Sequence, residues 1–348
     1  MSESEAMVYA VGAAHQRGTA VCGQPPGQWW RGSPRRQLTR LGVALLLAFC
    51  LAGSARAADD EVVGTLGAVG SDTLAGLMLR WGEALTERYP AVRLQLQASG
   101  SASASTALIA GTTRLGPMSR PMSEAERDAF TARHGYPPLE IEVARDALAV
   151  IVHRHNPLES LTLAELDAIF SRTRRCGADE PIDDWSQLGL AEPTGRIVLH
   201  GRNVASGTHD VIRLHGLCGG NFRLNVNEHP GSAAVVAAVA AEPGAIGYAG
   251  LNHLTPAVRA VARRDSESGE LHPPSAMMVS RGDYPLSRSL YVYVNRPPGA
   301  TLPGPERAFL ELVLSDAGQA VVKELGFVPL TPAERERQRR RLEGHGGR

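Results

Sequence analysis

Lysine is almost missing from this chain: Lys323 is the only one among 36 Lys and Arg residues. Any fixed cation in a binding site is therefore a guanidinium. Net charge is missing as well, because 36 Asp and Glu balance the basic residues. No basic stripe of the kind that drives non-specific nucleic-acid binding is present, so nucleic acid is not expected as a partner. The phosphate loop of nucleotide hydrolases, with its Lys after the final glycine, is absent. So are G-x-G-x-x-G and the G-x-S-x-G elbow of serine hydrolases. Beyond the N-terminal region no run is apolar and long enough to span a bilayer, which needs about 20 residues.

The N-terminus has the layout of an export signal. Arg35, Arg36 and Arg40 form a positive region, Leu41 to Ala52 an apolar stretch, and Ala55-Arg56-Ala57 a small-residue cleavage site. Phe49 stands where a lipoprotein signal needs a small residue before Cys50, which disfavours a lipid anchor. Residues 1–57 are thus expected to be a signal peptide with an upstream extension, addressing the mature chain to the periplasm by the Sec route. The mature chain is long enough for two domains. Of four cysteines, Cys176 and Cys218 remain in it. An oxidising compartment favours a disulfide between them, two separate buried thiols being the alternative. His215 with Cys218 has helical spacing for a metal but lacks a second ligand pair, so no metal site is expected.

Strand and helix patterns alternate. Leu74, Leu77, Met78, Trp81 and Leu85 mark an amphipathic helix that stops at Tyr89-Pro90, and 92–98 alternates as a half-buried strand. Residues 147–152 form a continuous apolar run, as in a strand covered on both faces. Thr162 with Glu165 predicts a capping box. Strands are also expected at 197–200, 245–249 and 290–294, with helices over 208–217, 231–241 and 309–325. This pattern predicts α/β layers with largely parallel sheets. Residues 332–348 are nearly devoid of apolar side chains and read as a disordered tail.

Four small-residue loops stand between strands and helices: Gly70-Ser71-Asp72-Thr73, Ser99-Gly100-Ser101-Ala102, Pro117-Met118-Ser119-Arg120, and Arg202 to Thr208. A helix start offers unsatisfied N–H donors and the positive end of the helix dipole, a setting suited to an anion. Serine or threonine before one helix is most often only a cap. Four such loops, one carrying an arginine, point to an oxyanion seat. The 201–210 stretch, GRNVASGTHD, also contains Ser206, His209 and Asp210. On a helix Asp210 points about 100° away from its neighbour and cannot orient His209. A catalytic triad is not expected, nor is an enzyme.

These loops resemble the periplasmic phosphate-binding proteins of ABC importers, the PstS family. The resemblance rests on GSDTL at 70–74, SGSASASTALIAGTTRLGPMSRPM at 99–122, GRNVASGT at 201–208 and AIGYAG at 245–250. It implies a two-lobed α/β fold of the type II periplasmic-binding-protein kind, with the ligand in a cleft between lobes joined by hinge strands. One lobe would comprise 59–145 and 264–331, the other 146–263. The implied function is a monomeric receptor that binds inorganic phosphate and hands it to an ABC permease, with no cofactor. Rival readings are another tetrahedral oxyanion such as sulfate or molybdate, a sensor or scavenger without a permease, and a phosphoester hydrolase. Carried over by position, Arg202 would fork onto phosphate oxygens. Ser206, Gly207 and Thr208 would donate at a helix start, and Ser101 would donate from the opposite lobe. Two positions depart from the family. Asp72, with Thr73 beside it, stands where a threonine or serine is usual, and Ser119 stands where an aspartate is usual. Asp72 is then either the acceptor for the phosphate proton or the N-cap of its helix. The partners of Arg120 and the part played by His209 stay open.

Overall fold

The computed structural model describes residues 62–344 apart from 192 and 194; the expected signal segment 1–57 lies outside the described residues. The chain begins with β1 (Gly64–Gly70), α1 (Ala75–Arg88), β2 (Val92–Ala98), α2 (Ser101–Ala110), β3 (Leu115–Met118) and α3 (Glu124–His134). It continues through β4 (Leu139–His153), β5 (Ser160–Leu161), α4 (Leu163–Phe170), β6 (Val198–Arg202), α5 (Gly207–Val211), β7 (Asn227–His229), α6 (Ser232–Ala241) and β8 (Ala245–Gly250). The remainder is β9 (Val258–Arg264), β10 (Leu271–His272), α7 (Ala276–Arg281), β11 (Ser287–Val294), α8 (Gly304–Val313), α9 (Asp316–Glu324) and α10 (Pro332–Leu342).

Local chemistry accounts for most of these elements. In α1 the apolar face of Leu77, Met78, Trp81 and Leu85 is buried. The predicted capping box of α4 is present, with Thr162 accepting from the Glu165 amide and the Glu165 carboxylate returning to the Thr162 N–H. A second box, Ser123 with Glu126, starts α3. The helix expected over 208–217 divides into the short α5 and a wider π turn over 212–216.

The strands join in the order β2-β1-β3-β11-β4-β8-β6-β7, with β9 also on β4. β1–β2, β1–β3, β6–β7 and β6–β8 are parallel. The sheet is nonetheless mixed rather than largely parallel, and β4 is the reason. This strand of 15 residues pairs antiparallel with β11 through Ala147, then from Leu148 antiparallel with β8. A strand from each half of the sheet thus returns against one shared strand. One apolar core gathers Leu66, Trp81, Ile141, Val292 and Phe309 on the β11 side. Another gathers Leu148, Phe170, Trp185, Ile246 and Tyr248 on the β8 side. Cys176 and Cys218 form a disulfide, Cα atoms 5.5 Å apart, so Cys218 is not available to a metal.

The segment from 332 departs from the sequence expectation. Residues 332–342 are not a disordered tail but α10, capped by Thr331 with Glu334 and carrying Pro332 in its first turn. Composition misleads here because this helix docks through polar groups rather than an apolar stripe. Gln338 is buried and accepts from the Glu142 amide at 3.3 Å. Arg339 donates to the Leu314 carbonyl at 2.6 Å, Arg335 pairs with Asp316 at 2.6 Å, and Glu334 pairs with Arg145. Ending the chain after Leu330 should therefore lower unfolding free energy by about 2–4 kcal/mol, on the basis of several lost charge-assisted bonds. Urea denaturation of the shortened chain beside the full one measures this.

Candidate oxyanion site

The site assembles from the four loops expected from the sequence, at the C-terminal ends of β1, β3 and β6 and the start of α2. At the first, Ser71 donates its N–H to the Pro117 carbonyl (2.8 Å), and its Oγ accepts from the Thr73 amide (3.2 Å). This local turn tucks Thr73 inward, 2% exposed. At the second, Gly100 takes a φ of +107°, and an added Cβ would lie 2.4 Å from the Ala205 carbonyl oxygen. Only glycine permits that approach, and it lets the Ala102 amide donate to the same oxygen at 3.1 Å.

Gly207 is the counterpart from the fourth loop. A Cβ there would meet Ser101 Oγ at 2.5 Å and Ser119 Oγ at 2.6 Å. Those two hydroxyls lie 3.2 Å apart, and Ser101 Oγ accepts from the Ser119 amide at 3.0 Å. Ser206 caps α5 by accepting from the Thr208 amide at 3.1 Å. Thr208 Oγ1 lies 3.5 Å from Thr73 Oγ1. The expected set Thr73, Ser101, Ser119, Ser206, Gly207 and Thr208 is thus brought together and buried.

Arg202 is 1% exposed, and its guanidinium is largely occupied by the protein. Nε donates to the His229 carbonyl (3.2 Å), Nη1 to Ser232 Oγ (3.2 Å), and Nη2 to both the Pro230 carbonyl and Asp72 Oδ1 (2.8 Å each). One Nη1 hydrogen is left without a partner among the described residues. Asp72 is not the N-cap: Leu74 occupies that place with no side-chain bond. Its carboxylate is instead drawn onto Arg202, because a buried guanidinium needs a counter-charge more than a helix start needs one acceptor.

The fourth-loop triplet of Ser, His and Asp does not form a triad. Asp210 Oδ2 accepts from Arg120 Nε at 2.7 Å. His209 Nδ1 lies 3.5 Å from Asp210 Oδ1 with no hydrogen bond, while its ring packs on Phe222. Arg120 also grips Glu126 with both Nη groups, at 2.6 and 2.8 Å. Burial alone would raise the Glu126 carboxyl, but the bonds from Arg120, Ser105 and the Ser123 amide outweigh it and hold it at about 2. No group of three or more His, Cys, Asp or Glu able to hold a metal occurs among the described residues.

The sequence reading missed two charged residues at this site. Arg288 of β11 stands opposite Asp146 of β4 in the antiparallel register. Its Nη2 and Nε lie 2.7 and 3.1 Å from Asp146 Oδ2. The same guanidinium reaches Thr208 Oγ1 (2.9 Å), the Ser119 carbonyl (3.2 Å) and Thr73 Oγ1 (3.3 Å). A signal was present. Arg288 is in phase with Leu290, Val292 and Val294 of an alternating strand, and Asp146 directly precedes the apolar run at 147–152.

Behind Arg202, His200 Nδ1 and His229 Nε2 share one hydrogen bond of 3.0 Å. Burial first, then His229, holds His200 below the usual 6.5; burial and Arg202 do the same for His229. Both groups bind protons less readily folded than unfolded, so the unfolded state takes up more protons as pH falls. Stability should be fully present above about pH 6.5 and decline below it. Two protonated rings also cannot share this bond. The melting temperature measured between about pH 7.5 and 5 should fall, and His200→Gln should flatten the slope.

Known proteins resemble this chain in sequence and fold. A profile described as the PBP superfamily domain matches residues 55–317. The phosphate-binding protein PstS of Pseudomonas aeruginosa is 46% identical over 271 residues, 77% of this chain and 84% of that protein. Protein SphX of Synechococcus elongatus is 28% identical over 265 residues, 75% and 76% of the two chains. An ABC-type phosphate transport receptor from Vibrio cholerae superposes with a TM-score of 0.60 at 19% identity, over 76% of this chain and all of that one; at that identity the likeness bears on the fold.

Proposed function

Since this chain belongs to the PBP superfamily and within it to the PstS phosphate-binding proteins, we propose that it is an extracytoplasmic receptor for inorganic phosphate. The observation that carries this is the convergence of Thr73, Ser101, Ser119, Ser206, Gly207 and Thr208 beside the buried Arg202. That cluster offers hydroxyl and amide donors and little else, so it favours an acceptor-rich tetrahedral anion. The receptor works without covalent chemistry. It delivers phosphate, as a monomer in the periplasm, to an ABC permease.

Two lobes, 59–145 with 264–331 and 146–263, are proposed to close over the anion. β4 and β11 form the natural hinge, since β4 passes from one half of the sheet to the other. Val279, Tyr284 and Leu286, although assigned to the first lobe, pack on the second core, so the hinge includes α7 and the start of β11. Closure is favoured because ligand contacts from both sides exist together only in the closed form.

Asp72 is the carboxylate available to accept the proton of hydrogen phosphate. Oδ1 is taken by Arg202, whereas Oδ2 has no hydrogen bond among the described residues. A site that accepts such a proton rejects sulfate strongly, by about 10⁴-fold in comparable hydrogen-bonding sites.

Calorimetric titration of the mature chain with phosphate, arsenate, sulfate and molybdate tests the reading. Phosphate should bind at about micromolar or tighter, and a wild-type chain that gives no heat with phosphate ends it. Arg202→Ala should weaken phosphate by at least about 10-fold. Asp72→Asn should raise sulfate binding relative to phosphate. An unchanged preference removes Asp72 from the proton-accepting role.

A further inference from the structure

Arg288 contacts three of the four site loops, yet its own donors are all engaged by the protein. It has five N–H groups, and the five contacts of the fork go to Asp146 (twice), the Ser119 carbonyl, Thr208 Oγ1 and Thr73 Oγ1. No donor is left over for an anion, so Arg288 acts through its neighbours.

Guanidinium only donates. At Thr208 Oγ1 and Thr73 Oγ1 the hydroxyl oxygen therefore accepts, and each hydroxyl must send its own hydrogen elsewhere. The two oxygens are 3.5 Å apart, and at most one can donate to the other. Their backbone amides are already turned away, Thr73 N to Ser71 Oγ and Thr208 N to Ser206 Oγ. What these two residues present toward the site is hydroxyl hydrogen. On its far side Arg288 meets Asp146, which is 1% exposed and opposite it in register. The pair adds no net charge, so its effect on an anion is exerted by orienting dipoles.

We propose that Arg288 is a positioning residue for the oxyanion. It sets the proton direction of Thr73 and Thr208, one on each side of the site, so that both hydroxyls are donors when the anion arrives. Asp146 holds the guanidinium in place and cancels its charge. Preorientation removes the cost of turning the hydroxyls on binding, and it ties the Thr73 loop to α5 through one rigid planar group. The proposal rests on the phosphate-receptor reading.

Phosphate titrations on four proteins test it: wild type, Arg288→Met with Asp146→Leu, Thr73→Val with Thr208→Val, and all four substitutions together. Removing both members of the buried pair avoids stranding a charge. The pair substitution should weaken phosphate about 10-fold or more in the wild-type background. Once the hydroxyls are gone it should cost less than about 3-fold. Equal losses in both backgrounds overturn the proposal, because a merely structural role does not depend on the hydroxyls. If the Met/Leu protein does not fold, Arg288→Lys decides. Lysine keeps the charge beside Asp146 but cannot fork to Thr73, Ser119 and Thr208 at once. It should match the wild type in unliganded melting temperature and bind phosphate as weakly as the double valine protein; wild-type affinity overturns the proposal. Failure of the wild type itself to titrate with phosphate is a different result, and it would defeat the receptor reading instead.

Discussion

A guanidinium and a carboxylate facing each other across β4 and β11 constrain everything around them. Arg288 and Asp146 are 7% and 1% exposed, and neither charge could be left in the interior alone. Stranding one costs about 3–5 kcal/mol, whereas the matched pair is nearly neutral. Burial pulls the Arg288 guanidinium below its usual value while Asp146 works against that. The register of β11 on β4 is therefore pinned at one point. That point sits where β4 changes partner, from β11 through Ala147 to β8 from Leu148. A slip of β11 by one residue would turn Arg288 to the face of the sheet opposite Asp146 and strand both charges.

The proposed oxyanion site is built outward from this point. Arg288 holds the Ser119 carbonyl and the Thr73 and Thr208 hydroxyls. Arg202, equally buried, is held by Asp72 from the first loop. Arg120 joins the third loop to Asp210 on α5. Each of these three arginines thus has a carboxylate partner, and the surroundings are near electrical balance. An anion in such a place is held by oriented donors rather than by net charge. Direction discriminates among anions where charge alone does not, and it loses less to salt screening when buried.

Much of this was legible along the chain. The helix face Leu77, Met78, Trp81 and Leu85, the Thr162–Glu165 cap and the strand at 245–249 follow from local periodicity and capping chemistry. The four small-residue loops were visible because one such turn is commonly a mere helix cap, whereas four of them, one with an arginine, exceed what capping requires. Three features were not legible. α10 docks through Gln338, Glu334 and arginines, so an apolar count sees only a tail. The antiparallel contacts of β4 depend on which distant strand returns to it. Asp72 read as a cap or a proton acceptor, because its partner Arg202 lies 130 positions away.

The inventory of this protein can be read along the chain: its alternating α/β elements, its almost exclusively arginine cations, and the loops able to seat an oxyanion. Those properties are set by interactions within a few residues, where turn, cap and period act directly. The pairing of the charges, by contrast, is set by the fold. Asp72 with Arg202, Asp146 with Arg288 and Asp210 with Arg120 each join distant parts of the chain. Charged groups are compatible with many partners in a sequence, and burial selects one, because in the interior each charge must find its complement or remain unsolvated.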